Sequence, residues 1–107
     1  MTNPLGDKIR KLRKGKGYTL ERLAELTGSS KSYIWELENK NPPRPSAEKV
    51  ARIAEALGVT SDYMVDPNEA SPTEEVVDQA FFRKFRGLPS TDKDRIRKMV
   101  DAWSKDS

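Results

Sequence analysis

Residues 19–38, TLERLAELTGSSKSYIWELE, decide how this chain folds. Tyr18, Leu20, Leu23 and Ala24 recur at helical spacing, which gives the first half one apolar face. Gly28 follows where a helix-ending residue must take a positive φ, a conformation that only glycine adopts cheaply. Ser29 or Ser30 can cap what comes next. Ile34 and Leu37 then resume the apolar period. Lys31, Ser32, Trp35, Glu36 and Asn39 are left on the opposite side. The stretch predicts two short helices joined by a tight turn, the second with a polar outer face.

The flanking residues extend this pattern in both directions. Upstream, Asn3 and Pro4 form a helix start, a side-chain cap followed by proline in the first turn. Leu5, Ile9 and Leu12 make the apolar stripe of that first helix, which Gly15 and Gly17 end. Thr19 can cap the second helix. Downstream, the loop Asn39 to Pro45 contains three prolines, which forbid a continuing helix. Ser46 caps a fourth helix with Val50, Ile53, Ala54 and Leu57 inward, closed by Gly58. A short fifth helix beginning at Ser61 places Tyr63, Met64 and Val65 over the core. Residues 1–65 therefore predict a five-helix all-α domain.

The next stretch, DPNEASP, is a linker by composition, taken as residues 66–71. Residues 72–107 predict a helical hairpin. Ser71-Pro72-Thr73-Glu74 matches a capping box with proline at the first helical position. Val77, Phe81 and Phe85 recur every four residues, with Val76, Ala80 and Phe82 alongside, until Gly87. After Leu88-Pro89, Ser90 caps a last helix whose stripe is Ile96, Met99, Val100 and Trp103. Two helices this short are not stable in water by themselves. Their stripes must dock on the first domain, on a second copy or on another protein.

Bulk properties narrow the function. The 107 residues suit one small domain and an appendage. Cysteine and histidine are both absent, which removes disulfides, thiolate chemistry, imidazole bases and most zinc sites. With the carboxylates scattered over polar helix faces, no nucleophile–base or metal constellation emerges, so neither an enzyme nor a cofactor is expected. No apolar run approaches the roughly 20 residues that span a membrane, and the start MTNPLGDKIRK lacks the apolar segment of a signal peptide. A cytoplasmic protein is expected. Net charge is +3 but unevenly placed: residues 1–65 carry 12 Lys/Arg against 8 Asp/Glu, and residues 66–107 carry 8 against 9. A basic N-terminal module beside a near-neutral tail fits polyanion binding by the former. A solvated, lysine-rich surface helix would read the same way from charge alone.

A helix, a glycine-containing turn and a second helix can place that second helix in the major groove of DNA. There Lys31 can donate to guanine N7 or O6, and Glu36 can accept from cytosine N4. Trp35 shares the side of Lys31, four residues on. It either touches a thymine methyl or the sugar–phosphate wall, or packs into the domain or a dimer interface. Tyr33 is expected to face the core with its hydroxyl near the surface, within reach of a phosphate. Lys14, Lys40 and Arg44 add cations for the backbone, which fix register without reading sequence.

The strings IRKLRKGKGYTLERLAELTG, KSYIWELENK and PSAEKVARIAEALGVTSDYM resemble the Xre/Cro-type helix-turn-helix family, which includes the lambdoid phage repressors and the SinR-like repressors. The resemblance covers Leu5 to Val65 and implies a sequence-specific DNA-binding regulator, most often a repressor. By position, Lys31, Ser32 and Glu36 match the family's base-reading residues and Asn39 a phosphate-contacting residue just after the recognition helix. Arg44 falls in the loop that crosses the backbone. Arg13 and Glu38 match an ion pair that bridges the first and third helices. Two departures stand out: Leu20 replaces the phosphate-clamping glutamine of the phage repressors, and Trp35 is bulky where a small or polar residue is usual.

The hairpin is similar to that of SinR-type regulators, in which a C-terminal helical pair dimerises or binds a partner. The resemblance thus implies double-stranded DNA as ligand and a homodimer on a pseudo-palindrome, with Phe81, Phe82, Phe85, Ile96, Met99, Val100 and Trp103 at the dimer or partner face. The tail FFRKFRGLPSTDKDRIRKMVDAW also looks like those of small regulators paired with an inhibitory protein or a peptidase. The alternative is an interaction module, antitoxin-like or coactivator-like, whose hairpin binds another protein.

Overall fold

The computed structural model describes residues 3–40, 44–67 and 71–105. Among them lie seven helices and no strand: α1 (Pro4–Gly15), α2 (Leu20–Thr27), α3 (Lys31–Asn39), α4 (Ala47–Leu57), α5 (Ser61–Val65), α6 (Glu74–Arg86) and α7 (Ser90–Lys105). The architecture is all-α. Pro42 and Pro43 of the proline loop, and residues 68–70 of the linker stretch, lie outside the described residues. Among those described, no helix is long and apolar enough to cross a membrane.

Local chemistry sets each helix end. Thr19, Ser30, Ser46 and Thr60 cap α2 to α5, each side-chain oxygen accepting from the backbone N–H three residues on. Asn3 does this for α1, accepting from the Gly6 N–H at 3.1 Å, and its amide also donates to the Leu37 carbonyl at 2.9 Å. One side chain therefore starts α1 and ties it to α3. That tie requires the two backbones to approach closely. A Cβ on Gly6 would sit 2.2 Å from the Leu37 carbonyl oxygen, so no larger residue fits there. Gly28 closes α2 at φ 66°, turning the chain into α3.

The core is a single cluster drawn from α1 to α5 and the turn before α5. Ile9, Leu23, Ile34, Ile53, Leu57, Val59 and Met64 are almost completely buried in it. Lys8 is also buried. Its Nζ donates to the carbonyls of Tyr63 and Asp66 and lies 4.0 Å from the centre of the Tyr63 ring. A cation thus satisfies carbonyls at the end of α5, where the helix dipole favours positive charge.

Three expectations change. Ser90 is the first residue of α7 and not its cap, since Lys93 N donates to the Pro89 carbonyl at 3.0 Å. Val65 does not cover the core; it is about half exposed, because α5 has only five residues and presents Tyr63 and Met64 inward. The start of α6 is capped by Thr73, not Ser71: Thr73 Oγ1 accepts from Val76 N at 3.3 Å. Starting there places Glu74 and Glu75 in the first turn, where acids complement the helix dipole.

α6 meets the core on one side. Val76 packs against the cluster, Ala80 is buried, and Arg83 Nη2 donates to the Val59 carbonyl at 3.2 Å. Phe81 stacks on Phe85 with ring centres 6.4 Å apart, and Lys93 and Arg97 of α7 lie over the Phe85 ring. Val77, Phe81, Phe82, Met99, Val100 and Trp103 remain exposed, and Ile96 is half-buried.

Candidate nucleic-acid interface

α3 has one side locked inward and one side free. Ile34, Leu37 and Glu38 are buried, whereas Lys31, Ser32, Trp35, Glu36 and Asn39 are exposed. The exposed residues thus form a continuous stripe along the helix, with Trp35 43% accessible at its middle. Tyr33 is half-buried against the core, and that desolvation holds its hydroxyl above the usual tyrosine range.

The buried side is anchored by charge. The Glu38 side chain is 1% exposed and accepts two parallel hydrogen bonds from Arg13, Nε to Oε2 at 2.7 Å and Nη2 to Oε1 at 3.0 Å. Arg13 Nη1 donates to the Tyr18 carbonyl at 2.9 Å, so the same guanidinium also fixes the entry to α2. The hydrogen bonds and charge of Glu38 raise the guanidinium above the ordinary arginine range, against a smaller opposing effect of burial. Arg10 adds a second cation, with Nε 3.5 Å from Glu38 Oε1. Its Nη2 donates to the Glu38 carbonyl and to Asn39 Oδ1.

Asn39 is the last residue of α3 and not the first beyond it. Its amide bonds within the protein: Oδ1 accepts from Arg10, and Nδ2 donates to the Trp35 carbonyl at 2.9 Å. Lys40 Nζ stands 5.7 Å from the centre of the Trp35 ring. Lys14 and Arg44 are exposed, Lys14 in the last turn of α1 and Arg44 in the segment before α4. Both lie on elements that flank α3.

Three residues absent from the sequence-based set also stand at this surface. Arg10 holds the end of α3, as described. Lys49, from α4, donates to Ser29 Oγ at 2.9 Å and lies 5.4 Å from the centre of the Tyr33 ring. Glu21, from α2, pairs with Lys31 at 2.8 Å. The hydrogen bond from Lys31, then its charge, hold the Glu21 carboxyl below the usual carboxylate range. Lys31 opens a helix that has no acid in its first turn, but an exposed lysine needs no counter-charge, so nothing in the sequence marked Glu21 or Lys49.

The arrangement supplies donors and acceptors on one accessible helix, with cations around it. Among the described residues, no group of His, Cys, Asp or Glu could hold a metal ion.

Comparison with known proteins accords with this geometry. The helix-turn-helix family model matches residues 9–64. The transcriptional regulator SinR of Bacillus subtilis is 27% identical over 105 residues, covering 94% of this chain and 95% of SinR. Its relatives by sequence are named as transcriptional regulators and not as enzymes. A crystal structure of SinR, the master regulator for biofilm formation, in complex with DNA superposes with TM-score 0.55 and 34% identity, covering 58% of this chain and 98% of that one. The complex of SinR with SinI superposes with TM-score 0.58 and 27% identity over 96% of this chain and 99% of its counterpart. With α2 and α3 joined at Gly28, and with the family match spanning α1 to α5, the chain belongs to the helix-turn-helix family, in the Xre-like group that contains SinR.

Proposed function

We propose that this chain is a sequence-specific transcriptional regulator, a repressor that binds a pseudo-palindromic operator as a homodimer, in the cytoplasm. Residues 1–65 read DNA, residues 72–107 pair two copies, and residues 66–71 link them. One observation carries the reading: α3 is fixed from behind by Glu38 and the core while Lys31, Ser32, Trp35 and Glu36 face outward. That is the disposition a groove-reading helix needs, with rigidity on one side and hydrogen-bonding edges on the other. The likeness to a SinR structure bound to DNA supports it.

In the major groove, Lys31 donates to guanine O6 or N7 and Glu36 accepts from cytosine N4, which favours half-sites containing C·G pairs. Trp35 lies against a thymine methyl or the sugar–phosphate wall. Lys14, Lys40, Arg44 and Tyr33 contact phosphates, joined by Lys49 beside the turn. Asn39 contacts a phosphate as well: its Nδ2 carries two N–H donors, of which the Trp35 carbonyl takes one.

A single module buries little surface on DNA, and specific affinity ordinarily needs two. The aromatic face of α6 and α7 provides the means. Phe81, Phe82, Met99, Val100 and Trp103 are each about half exposed or more, and large apolar side chains left in water on both helices support an interface there. The same face supports a second reading, in which a regulatory protein covers it; the likeness to the SinR–SinI complex over most of the chain favours keeping both. A competing partner would then switch the regulator by splitting the dimer.

In vitro selection of random duplex DNA by the purified chain, at near-physiological salt, tests the reading. Enrichment of a palindrome is the expected result. Binding that never enriches a sequence and fades uniformly with salt would overturn it, because phosphate contacts alone behave that way.

A further inference from the structure

Lys31 sits in a place that ordinary helix chemistry disfavours. It is the first residue of α3, at the positive end of the helix dipole, and α3 has no acid in its first turn. The counter-charge comes from across the turn, where Glu21 Oε1 of α2 lies 2.8 Å from Lys31 Nζ. Both side chains are largely exposed, so this pair does little to hold the fold. A local rule is broken at the edge of the reading stripe and compensated by one residue, as happens where function sets the sequence.

The chemistry of the pair gives it a purpose. A lone lysine is a mobile, strongly hydrated point charge that binds phosphate as readily as it binds a base edge. Paired with a carboxylate it carries no net charge, and the nearby anion opposes the approach of another anion. Its ammonium still has three N–H donors, of which Glu21 takes one. Guanine O6 and N7 are neutral acceptors with only partial negative charge and feel much less of that repulsion. The geometry points to Glu21 as a specificity-determining residue: it steers Lys31 away from phosphate and leaves it free to read a guanine. This inference rests on the DNA-binding reading above and names which residue makes one of its base contacts selective.

The test uses the full chain and three sets of duplexes: the sequence that the wild type enriches from a random pool, its single-base-pair variants, and a shuffled duplex of equal composition. Lys31→Ala identifies the base pair that Lys31 reads, as the position where discrimination disappears. Glu21→Gln is expected to lower discrimination at that same base pair by about 3–10-fold and to leave the other positions within about twofold. It is also expected to tighten binding to the shuffled duplex, with a salt dependence steeper by about one phosphate contact. A uniform gain on every duplex with discrimination unchanged would overturn the inference, since Glu21 would then merely repel phosphate. So would no change at all, or a Lys31→Ala variant that keeps full discrimination everywhere. If the wild type enriches no duplex, the DNA-binding reading itself falls, a result distinct from these.

Discussion

Arg13 and Glu38 are joined by two parallel hydrogen bonds of 2.7 and 3.0 Å across the α1–α3 contact, with the carboxylate almost wholly out of solvent. The pair is both an anchor and a hazard. Removing charges from water is costly, and the cost is recovered only while both partners remain. Arg13→Ala is therefore expected to lower stability by about 3–5 kcal/mol, as read from urea unfolding, because it strands Glu38. Arg13→Met with Glu38→Leu is expected to recover most of that loss. The guanidinium is held above its ordinary range, so its contribution is present below that range and lost only as pH rises beyond it. From about pH 7 to 10 the gap between wild type and Arg13→Ala should stay constant. A gap that closes within this window would mean that the pair is not what Arg13 contributes.

Gly6 and Gly15 make a sharp contrast on one helix. A Cβ at Gly6 meets the Leu37 carbonyl oxygen at 2.2 Å, whereas one at Gly15 meets nothing within 4 Å. Backbone cannot yield as a flexible side chain would. Gly6→Ala is expected to destabilise by about 1–3 kcal/mol or to displace α3, which would also weaken DNA binding. Gly15→Ala is expected to gain up to about 1 kcal/mol, from reduced freedom of the unfolded chain. Equal melting temperatures for the two variants would show that α1 and α3 can separate at no cost.

The parts of this fold that could be read from sequence are those whose causes are local. Asn3, Thr19, Ser46, Gly28 and Gly58 lie within a few residues of the helix ends that they cap or close, so their chemistry is visible in any short window. The period of Ile34 and Leu37 separates the two sides of α3 in the same way. A local reading failed at the start of α6: the capping box pointed to Ser71, but Thr73 is the cap, and the docking of Val76 and Ala80 accompanies the later start. The long-range partners were not legible. Lys8 finds the carbonyl of Asp66 across 58 positions, Arg10 finds Asn39 across 29, and Lys49 finds Ser29 across 20. No periodicity encodes such meetings, which exist only once the helices are assembled.

Lys8 carries the next expectation. Its ammonium satisfies the carbonyls of Tyr63 and Asp66 from within the core and covers the Tyr63 ring. Hydrogen bonds to a charged donor contribute more than neutral ones, and orphaned buried carbonyls are costly. Lys8→Met keeps the unbranched side chain, one atom shorter, and removes the charge. It is expected to cost about 2–3 kcal/mol, with faster amide hydrogen exchange in α5 than in α2. Uniform acceleration across all helices would show that Lys8 contributes only to global stability and has no particular hold on α5.

The face of α6 and α7 can be tested without disturbing the fold. Phe81 and Trp103 are 60% and 71% exposed, so charges placed there meet water in a single chain. Exposed substitutions of this kind usually shift stability by no more than about 0.5 kcal/mol. In a dimer the same charges would be buried against their own copies, unpaired and mutually repelling, which association cannot tolerate. Trp103→Glu is therefore expected to melt like the wild type and Phe81→Glu to lose about 1 kcal/mol with its stack on Phe85, yet both are expected to sediment as monomers at concentrations where the wild type is dimeric. Affinity for a two-half-site duplex should fall steeply, while affinity for a single half-site should hardly change, because the two modules no longer bind as one. Variants that stay dimeric and keep full affinity for the paired site would place the dimer contact elsewhere, and would leave the aromatic face to a different protein.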